Sequence, residues 1–298
     1  MDIQALAQRF NIDGRAKVVE GKGGLPMVEV TADGATALIS VYAGQVLSYR
    51  PVGQEDLMFL SDTAYYAPGK AIKGGVPVCW PWFGPDPEGK GRPGHGFVRN
   101  RQWDLRNIEA LDGGAVRVTM GLADTDETRG IWDNAFDLAM VVTVGGKLDV
   151  ELTTKNLGDA AFQLSQGLHT YFRVGDIAKT RVLGLEGATY IDKMDGGAEK
   201  RQDGAVVITG EADRVYTGVS GNMAIEDDGL GRTIRIVGSG SASAVVWNPW
   251  IDTAKSMGDL GDDDYLRLIC VETTNAGPDV ITVRPGGEHR IAATYSLG

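Results

Sequence analysis

The stretch Leu138–Thr154, LAMVVTVGGKLDVELTT, decides the fold class of this chain. In LDVELTT polar residues alternate with aliphatic ones, which is the pattern of a strand with one buried face. Gly145-Gly146 separates two such runs, and paired glycines suit the tight turn of a hairpin. We therefore predict two antiparallel strands, Leu138–Val144 and Leu148–Thr154.

Short runs of β character recur on both sides of this hairpin. They are Ala35–Tyr42, Ala115–Met120, Ala205–Thr209, Thr233–Val237, Ala242–Trp247 and Leu266–Thr273. Helical periodicity is confined to the start, where MDIQALAQRF predicts a short amphipathic helix. Because the chain shows no βαβ alternation, linker or repeat, we predict an all-β fold. We expect one large antiparallel β-sandwich domain over residues 1–298, with a few short helices.

The composition limits the classes of partner. Gly accounts for 42 of the 298 residues, about twice its usual share of roughly 7 %, as expected for many tight turns. The formal net charge of −11 argues against nucleic acid, whose phosphates attract basic surfaces. No run reaches the roughly 18 apolar residues of a membrane-spanning helix, and the first residues lack the pattern of a signal peptide. We expect neither nucleic acid nor a membrane as a partner.

The two cysteines lie inside apolar runs, Cys79 in VPVCWPW and Cys270 in LRLICVE. Buried free thiols are more common in such runs than a disulfide or a nucleophile. Because free thiols are typical of a reducing compartment, we expect a cytoplasmic protein.

The segment from residue 73 to residue 105, KGGVPVCWPWFGPDPEGKGRPGHGFVRNRQWDL, is the first candidate for a binding site. Its first half is rich in aromatic residues, and its second half is basic in an otherwise acidic chain. The basic residues are Lys90, Arg92, His95, Arg99 and Arg101. Aromatic rings beside cations suit a small ligand with an apolar face and a negative group. A sugar phosphate has both properties.

The three histidines have different surroundings. His169, in SQGLHTYFRVGD, lies in an apolar and aromatic run, where a buried structural role and a catalytic role are both open. His95 is flanked by glycines, which predicts a loop, and ligand-binding residues concentrate on loops. His289, in PGGEHRIAATY, indicates a turn leading into the last strand, with a solvated or edge position.

Glu272 is the most suggestive carboxylate because it ends the apolar run LRLICV. Burial at such a position raises the pKa of a carboxyl toward the range of a general base. A strand-end Glu that points into solvent is an equally good interpretation of the sequence. Asp192 in TYIDK and the aromatic turn WNPW are further candidate parts of a site.

The sequence contains no HExxH, paired CxxC or EF-hand spacing, and we interpret Asp262-Asp263-Asp264 as a solvated acidic turn. It also lacks a Walker loop and a GxSxG nucleophile elbow, and no GxGxxG fingerprint follows a predicted strand. We therefore predict neither a metal site nor a cofactor.

Six segments together resemble one family. In order along the chain they are GGVPVCWPWFGP, GHGFVRNRQW, LHTYFRVGDI, YIDK, WNPW and CVETTNA, between about Ala71 and Asn275. They resemble the hexose-6-phosphate mutarotases, the glucose-6-phosphate 1-epimerase branch of the aldose 1-epimerase superfamily. The resemblance implies a galactose mutarotase-like β-sandwich. It also implies interconversion of the α and β anomers of an aldohexose 6-phosphate, such as glucose 6-phosphate.

The resemblance also implies roles for particular residues. His169, in LHTYF, falls on the position of the acid that protonates the ring oxygen. Glu272, in CVET, falls on the position of the base that takes the anomeric hydroxyl proton. The positions that contact substrate correspond to Lys73, His95, Arg99 and Asp192. The reaction that the resemblance implies needs no metal or nucleotide.

The chain departs from the family pattern at two positions. Lys73 stands where the family often has Arg before the paired glycines, and Lys cannot form the bidentate fork of a guanidinium. Gly94 precedes His95 where some members have Gln, which removes one polar group.

Three other functions stay open at this level. A non-catalytic carbohydrate-binding or regulatory protein would keep the aromatic residues without needing both proton-transfer groups. A mutarotase for unphosphorylated aldoses would use the cations differently. A glycosidase would need two carboxyl groups, for which Glu272 and Asp192 are conceivable, but it would leave His169 without a task.

Overall fold

The structure of the protein is a computed structural model that describes residues 2–298. Three α-helices occur in these residues: α1 (Ile3–Phe10), α2 (Asp126–Ile131) and α3 (Trp250–Ser256). Short 3₁₀ turns lie at Lys22–Gly24, Val98–Asn100, Ile177–Lys179, Lys193–Asp195 and Asp264–Leu266. The predicted N-terminal helix is confirmed as α1, which begins after Asp2 because that carboxylate accepts hydrogen bonds from the first turn. Among residues 2–298, no helix is both long and apolar enough to cross a membrane.

Strands make up most of the remaining structure. The first twelve are β1 (Ala16–Glu20), β2 (Pro26–Ala32), β3 (Ala35–Ser40), β4 (Gln45–Pro51), β5 (Val78–Cys79), β6 (Asp104–Ala110), β7 (Val116–Ala123), β8 (Phe136–Val144), β9 (Leu148–Asn156), β10 (Phe162–Leu164), β11 (Gln166–Leu168) and β12 (Tyr171–Arg173). The others are β13 (Thr180–Leu183), β14 (Thr189–Asp192), β15 (Ala198–Arg201), β16 (Val206–Val207), β17 (Ala212–Thr217), β18 (Asn222–Asp227), β19 (Arg232–Ser239), β20 (Ser243–Asn248), β21 (Leu268–Asn275), β22 (Ile281–Val283) and β23 (Glu288–Leu297).

Two large antiparallel sheets dominate the architecture. A nine-stranded sheet has the order β16-β13-β18-β19-β23-β9-β8-β7-β6. An eight-stranded sheet has the order β15-β14-β17-β20-β21-β11-β5, with β12 also paired to β21. A four-stranded sheet, β1 to β4, and the small pair β10-β22 complete the fold. The predicted all-β sandwich class is confirmed.

The core is continuous between the two large sheets. Along β8 and β9 every second residue is buried, as the alternation in the sequence predicts. Their inward side chains, such as Met140 and Val150, belong to the same apolar cluster as Val246 of β20 and Val271 of β21. The cluster joins one face of each sheet and leaves the other face of the eight-stranded sheet free to build a cavity.

The predicted strands are present, with two instructive differences. Only Val206–Val207 of the run Ala205–Thr209 pairs as a strand. The run predicted over Leu266–Thr273 begins instead at Leu268, because Asp264–Leu266 forms a 3₁₀ turn, and it continues to Asn275. Glu272 therefore lies inside a strand, and the expectation that it ends one was wrong.

Candidate active site

A cavity of about 510 Å³ opens on the face of the eight-stranded sheet that is turned away from the core. It brings together five of the six residues predicted for the site. They are Lys73, His95, Arg99, His169 and Glu272. The other lining residues are Phe83, Gly84, Pro85, Gly94, Tyr171, Lys193, Asp213, Val215, Val245, Trp247, Met257, Ala276 and Gly277.

Strand β21 positions Glu272 by simple alternation. Ile269 and Val271 point into the main core, so Cys270 and Glu272 occupy the opposite, cavity side. Every residue of β21 is buried because both of its faces are covered, and Glu272 itself is only 1 % exposed. A strand enclosed on both sides thus holds a carboxyl group in apolar surroundings.

His169 lies in the short connection between β11 and β12, beside β21. Its backbone N–H donates to the carbonyl of Pro77, and its ring stacks on Tyr171 with 4.9 Å between centroids and 9° between planes. The ring nitrogen Nδ1 is 3.5 Å from Oε1 of Glu272. Stacking and backbone anchoring together fix the imidazole next to the carboxyl group.

The surroundings shift the pKa values of the two partners in opposite directions. The pKa of His169 is lowered well below its usual value, first by burial and then by His95, Arg99 and Lys73. The pKa of Glu272 is raised well above its usual value, first by burial and then by Asp213, against the opposing effect of Arg99. Both shifts favour the neutral forms, so the one acidic proton of the pair lies on Glu272 and the imidazole of His169 is uncharged. Such a pair is suited to give and take protons.

His95 is held as a neutral ring of one tautomer. The N–H of Gly84 donates to its Nδ1 at 3.3 Å, so Nδ1 is an acceptor and the neutral ring carries its proton on Nε2. The thiol of Cys79 lies 3.3 Å from the same nitrogen. Burial, assisted by the charges of Arg99 and Lys73, lowers the pKa of His95 to about 3. His95 therefore offers an N–H donor at neutral pH.

Two cations, Lys73 and Arg99, complete the polar side of the cavity. Lys73 Nζ is 3.4 Å from Asp259 Oδ1 and 3.7 Å from Met257 Sδ, which directs its long side chain along one wall. Arg99 Nη2 donates to the carbonyl of Gly94 at 3.2 Å, which leaves other N–H groups of the guanidinium for a ligand.

Asp192 does not line the cavity. Its carboxylate bonds Lys200 Nζ at 2.8 Å and accepts from the N–H of Met194, so it supports the turn that carries Lys193. Lys193 and Asp213 also line the cavity and were not predicted from the sequence. No local signal marks Asp213, because its strand β17, ADRVYT, is half polar and places Arg214 beside it. Burial raises its pKa, and Lys193 opposes that rise.

The aromatic residues of the 73–105 segment serve mainly the core. Trp80, Trp82 and Phe97 are each at most 3 % exposed and belong to the main apolar cluster. Of the rings in this segment, Phe83 is the one that lines the cavity, and Trp247 joins it from β20. The expectation that the segment's rings as a group face the ligand was therefore wrong.

The remaining cations of that segment are paired outside the cavity. Arg92 bonds Asp86 and Glu88 and covers the ring of Trp82 at 4.3 Å, while Arg101 pairs with Glu127 at 2.9 Å. Lys90 is exposed and pairs with Glu88. The basic residues of this segment are therefore not clustered in the folded protein. Of its three arginines, Arg99 lines the cavity.

Other predicted positions are confirmed in part. Both cysteines are free and buried. His289 lies in β23 at an intermediate exposure, with Nε2 3.3 Å from Oδ1 of Asn275. The prediction that Asp264 is solvated was wrong. Asp264 is 8 % exposed and accepts hydrogen bonds from Gly261 N–H and Arg267.

Fold and site together define a β-sandwich protein whose cavity holds the buried pair His169 and Glu272 beside two cations. Residues 26–296 match the model of the family described as aldose 1-epimerase. The chain belongs to the aldose 1-epimerase family.

Individual relatives are similar to this chain over most of its length. An Escherichia coli K12 protein named "Putative glucose-6-phosphate 1-epimerase" is 37 % identical over 253 residues, or 85 % of this chain and 84 % of that protein. A Cenchrus ciliaris protein of the same name is 35 % identical over 92 % of this chain and 85 % of its own length. A Salmonella typhimurium crystal structure described as "a putative mutarotase" superimposes with a TM-score of 0.89 at 33 % identity, covering 97 % of this chain and 95 % of the other.

Proposed function

We propose that this protein interconverts the α and β anomers of an aldohexose 6-phosphate, with glucose 6-phosphate as the expected substrate. The observation that supports this most is the buried pair His169 and Glu272, with Nδ1 and Oε1 3.5 Å apart in the cavity. Relatives named "Putative glucose-6-phosphate 1-epimerase" are 37 % and 35 % identical over 85 % and 92 % of this chain. The proposal assigns proton transfer to this pair.

Ring opening requires one proton delivered and one removed at two oxygens bonded to the same carbon. The proton of Glu272 first passes to His169 Nδ1, 3.5 Å from its Oε1. The resulting imidazolium donates a proton to the ring oxygen as the bond between that oxygen and the anomeric carbon breaks. Glu272 accepts the proton of the anomeric hydroxyl, and the electron pair of that O–H bond forms the aldehyde carbonyl. Rotation about the adjacent C–C bond presents the other face, and the reverse transfers close the ring. The pair ends each cycle with the proton count it began with.

The surroundings support this chemistry in three ways. Apolar walls that include Phe83 and Trp247 contact the ligand's C–H groups and exclude water. His95 donates from its Nε2–H to a sugar oxygen. Lys73 and Arg99 supply charge-assisted hydrogen bonds to the phosphate, and such bonds are about twice as strong as neutral ones. Asp192 contributes indirectly, by supporting the turn of Lys193.

We also propose that the protein acts in the cytoplasm. The basis is that Cys79 and Cys270 are free thiols, which persist most readily in a reducing compartment.

The phosphate preference is tested by substituting Arg99. Magnetisation-transfer NMR measures the anomer exchange of glucose 6-phosphate and of glucose. We expect Arg99→Ala to lower kcat/KM for glucose 6-phosphate by about 10- to 100-fold, since a hydrogen bond to a charged group contributes about 1.5–3 kcal/mol. Exchange of glucose should change far less.

The matched control is Lys90→Ala, which removes an exposed cation of the same segment that does not line the cavity. It should leave both exchange rates as in the wild type. Equal wild-type rates for glucose and glucose 6-phosphate would contradict phosphate recognition and favour a mutarotase for unphosphorylated aldoses.

A further inference from the structure

A cluster of three potential metal ligands lies at the proton-transfer pair. His169, Cys270 and Glu272 are all buried, and each offers one ligand atom within 4.8 Å of the other two. We propose that this cluster is an inhibitory binding site for a borderline-soft divalent cation of the Zn²⁺ type. The site of inhibition rests on the proposed function, because the ion would occupy the acid and the base of that reaction.

The fold brings the ligands together from two neighbouring segments. Cys270 and Glu272 are two residues apart on β21, so both point to the same side of the sheet. His169 lies in the β11–β12 connection, and both of those strands pair with β21. Two ligands from alternate positions of a strand and a third from an adjacent segment form one triangular face.

The separations suit a tetrahedral ion. Bonds of about 2.0–2.3 Å to N, O and S ligands place neighbouring ligand atoms roughly 3.3–3.8 Å apart. The 3.5 Å between His169 Nδ1 and Glu272 Oε1 already lies in that range. No separation in the cluster is larger than 4.8 Å, so none exceeds that range by more than about an ångström, which a side-chain rotation can close.

Two of the ligating side chains have unsatisfied atoms. In residues 2–298, His169 Nδ1 and Glu272 Oε2 are buried without a hydrogen-bond partner. Buried polar atoms are usually paired, and an unpaired one calls for a partner such as an ion. The cavity in front of the pair leaves room for water or a ligand oxygen as the fourth ligand.

The ligand types favour zinc over magnesium or calcium. Imidazole, thiolate and carboxylate form a mixed N, S and O set, whereas Mg²⁺ and Ca²⁺ prefer oxygen ligands. A dication bound by one thiolate, one carboxylate and one neutral imidazole gives a net neutral site. Binding releases two protons to the buffer, the thiol proton of Cys270 and the proton held by the His169–Glu272 pair. The occupied imidazole and carboxylate can no longer transfer protons to a sugar.

The experiment uses two metals and a pair of matched variants. Zinc sulfate is titrated into the anomer-exchange assay, and cobalt chloride into the protein alone, with thiolate-to-cobalt charge-transfer absorption as the second readout. Cys270→Ser removes the proposed sulfur ligand. Cys79→Ser makes the same change at the other buried cysteine, which is outside the cluster. Each inhibition curve is referred to that variant's own metal-free rate.

We expect Zn²⁺ to inhibit the wild type and Cys79→Ser, with recovery after a chelator is added. Cys270→Ser should need at least about tenfold more Zn²⁺ for the same inhibition. The wild type and Cys79→Ser should show the cobalt–thiolate band, and Cys270→Ser should not.

Two results would overturn the inference. One is the absence of a cobalt–thiolate band in the wild type, and the other is equal zinc inhibition of Cys270→Ser and the wild type. The cobalt measurement needs no enzymatic activity, so a protein without anomer exchange whose band is lost in Cys270→Ser would refute only the proposed function.

Discussion

Glu272 and His169 differ from ordinary surface residues of their types through their surroundings. The carboxyl is almost fully buried on a strand covered on both sides, and the imidazole is stacked on Tyr171. Desolvation makes each charged form costly, which raises the pKa of an acid and lowers that of a base. One proton shared between such groups is available for transfer in either direction.

His95 shows the same principle in a form that stability measurements can test. Its pKa in the folded protein is about 3, while an unfolded chain has a histidine pKa near 6.5. Between these values the unfolded chain binds more protons, so stability is lost as the pH falls from about 6.5 toward 3.

We predict a smaller acid sensitivity for His95→Gln. From pH 7.5 to pH 5.5, the free energy of unfolding of the wild type should fall by about 1.4 kcal/mol more than that of the variant. Urea denaturation at the two pH values measures both changes. Equal decreases would show that His95 is not held neutral by the fold.

At the scale of elements, the paired glycines after Lys73 place the cation-bearing loop against the four-stranded sheet. Gly74 and Gly75 have positive φ angles of 116° and 64°. A Cβ at Gly75 would lie 2.1 Å from the carbonyl oxygen of Val46, and one at Gly74 would lie 2.4 Å from that of Phe59. Only glycine allows this approach of backbone to backbone.

Substitution of Gly75 tests that requirement against a control with the same backbone conformation. Gly53 has a φ of 75°, and its Cβ would meet no atom within 4 Å. We expect Gly53→Ala to cost about 1 kcal/mol for the left-handed conformation alone, and Gly75→Ala about 3 kcal/mol or more. Chemical denaturation measures both, and similar costs would contradict the close approach.

Local patterns predicted most of the strands but less of the site. The alternation in β8 and β9 and the glycine turn between them are local properties, so their hairpin followed from the sequence. The position of Trp80 in the core did not, because a cluster of rings has the same sequence pattern in a core and in a cavity. Asp213 was missed because its surroundings come from strands far away in the chain.

At the scale of the whole molecule, one apolar cluster connects distant parts of the chain. It includes Phe10 of α1, Val18 of β1, Met140 of β8 and Tyr295 of β23. The sequence predicted the sandwich class, but strand order in the sheets depends on long-range pairing, such as β21 with β11, that no local pattern specifies.

The shared cluster predicts cooperative unfolding. Because the main sheets bury their inner faces against each other, they should lose structure together, as expected for the single domain predicted from the sequence. Tryptophan fluorescence and far-ultraviolet circular dichroism should report the same urea midpoint. Two separate transitions would contradict a single cooperative domain.

Anomer exchange of glucose 6-phosphate in Glu272→Gln measures whether the His169–Glu272 pair transfers the protons. The amide keeps the size of the side chain but cannot accept the hydroxyl proton, so the enzymatic exchange rate should fall by about 10²–10⁴-fold. Glu199→Gln, an exposed position that does not line the cavity, should exchange as fast as the wild type. A wild-type rate in Glu272→Gln, measured by magnetisation-transfer NMR, would contradict the account.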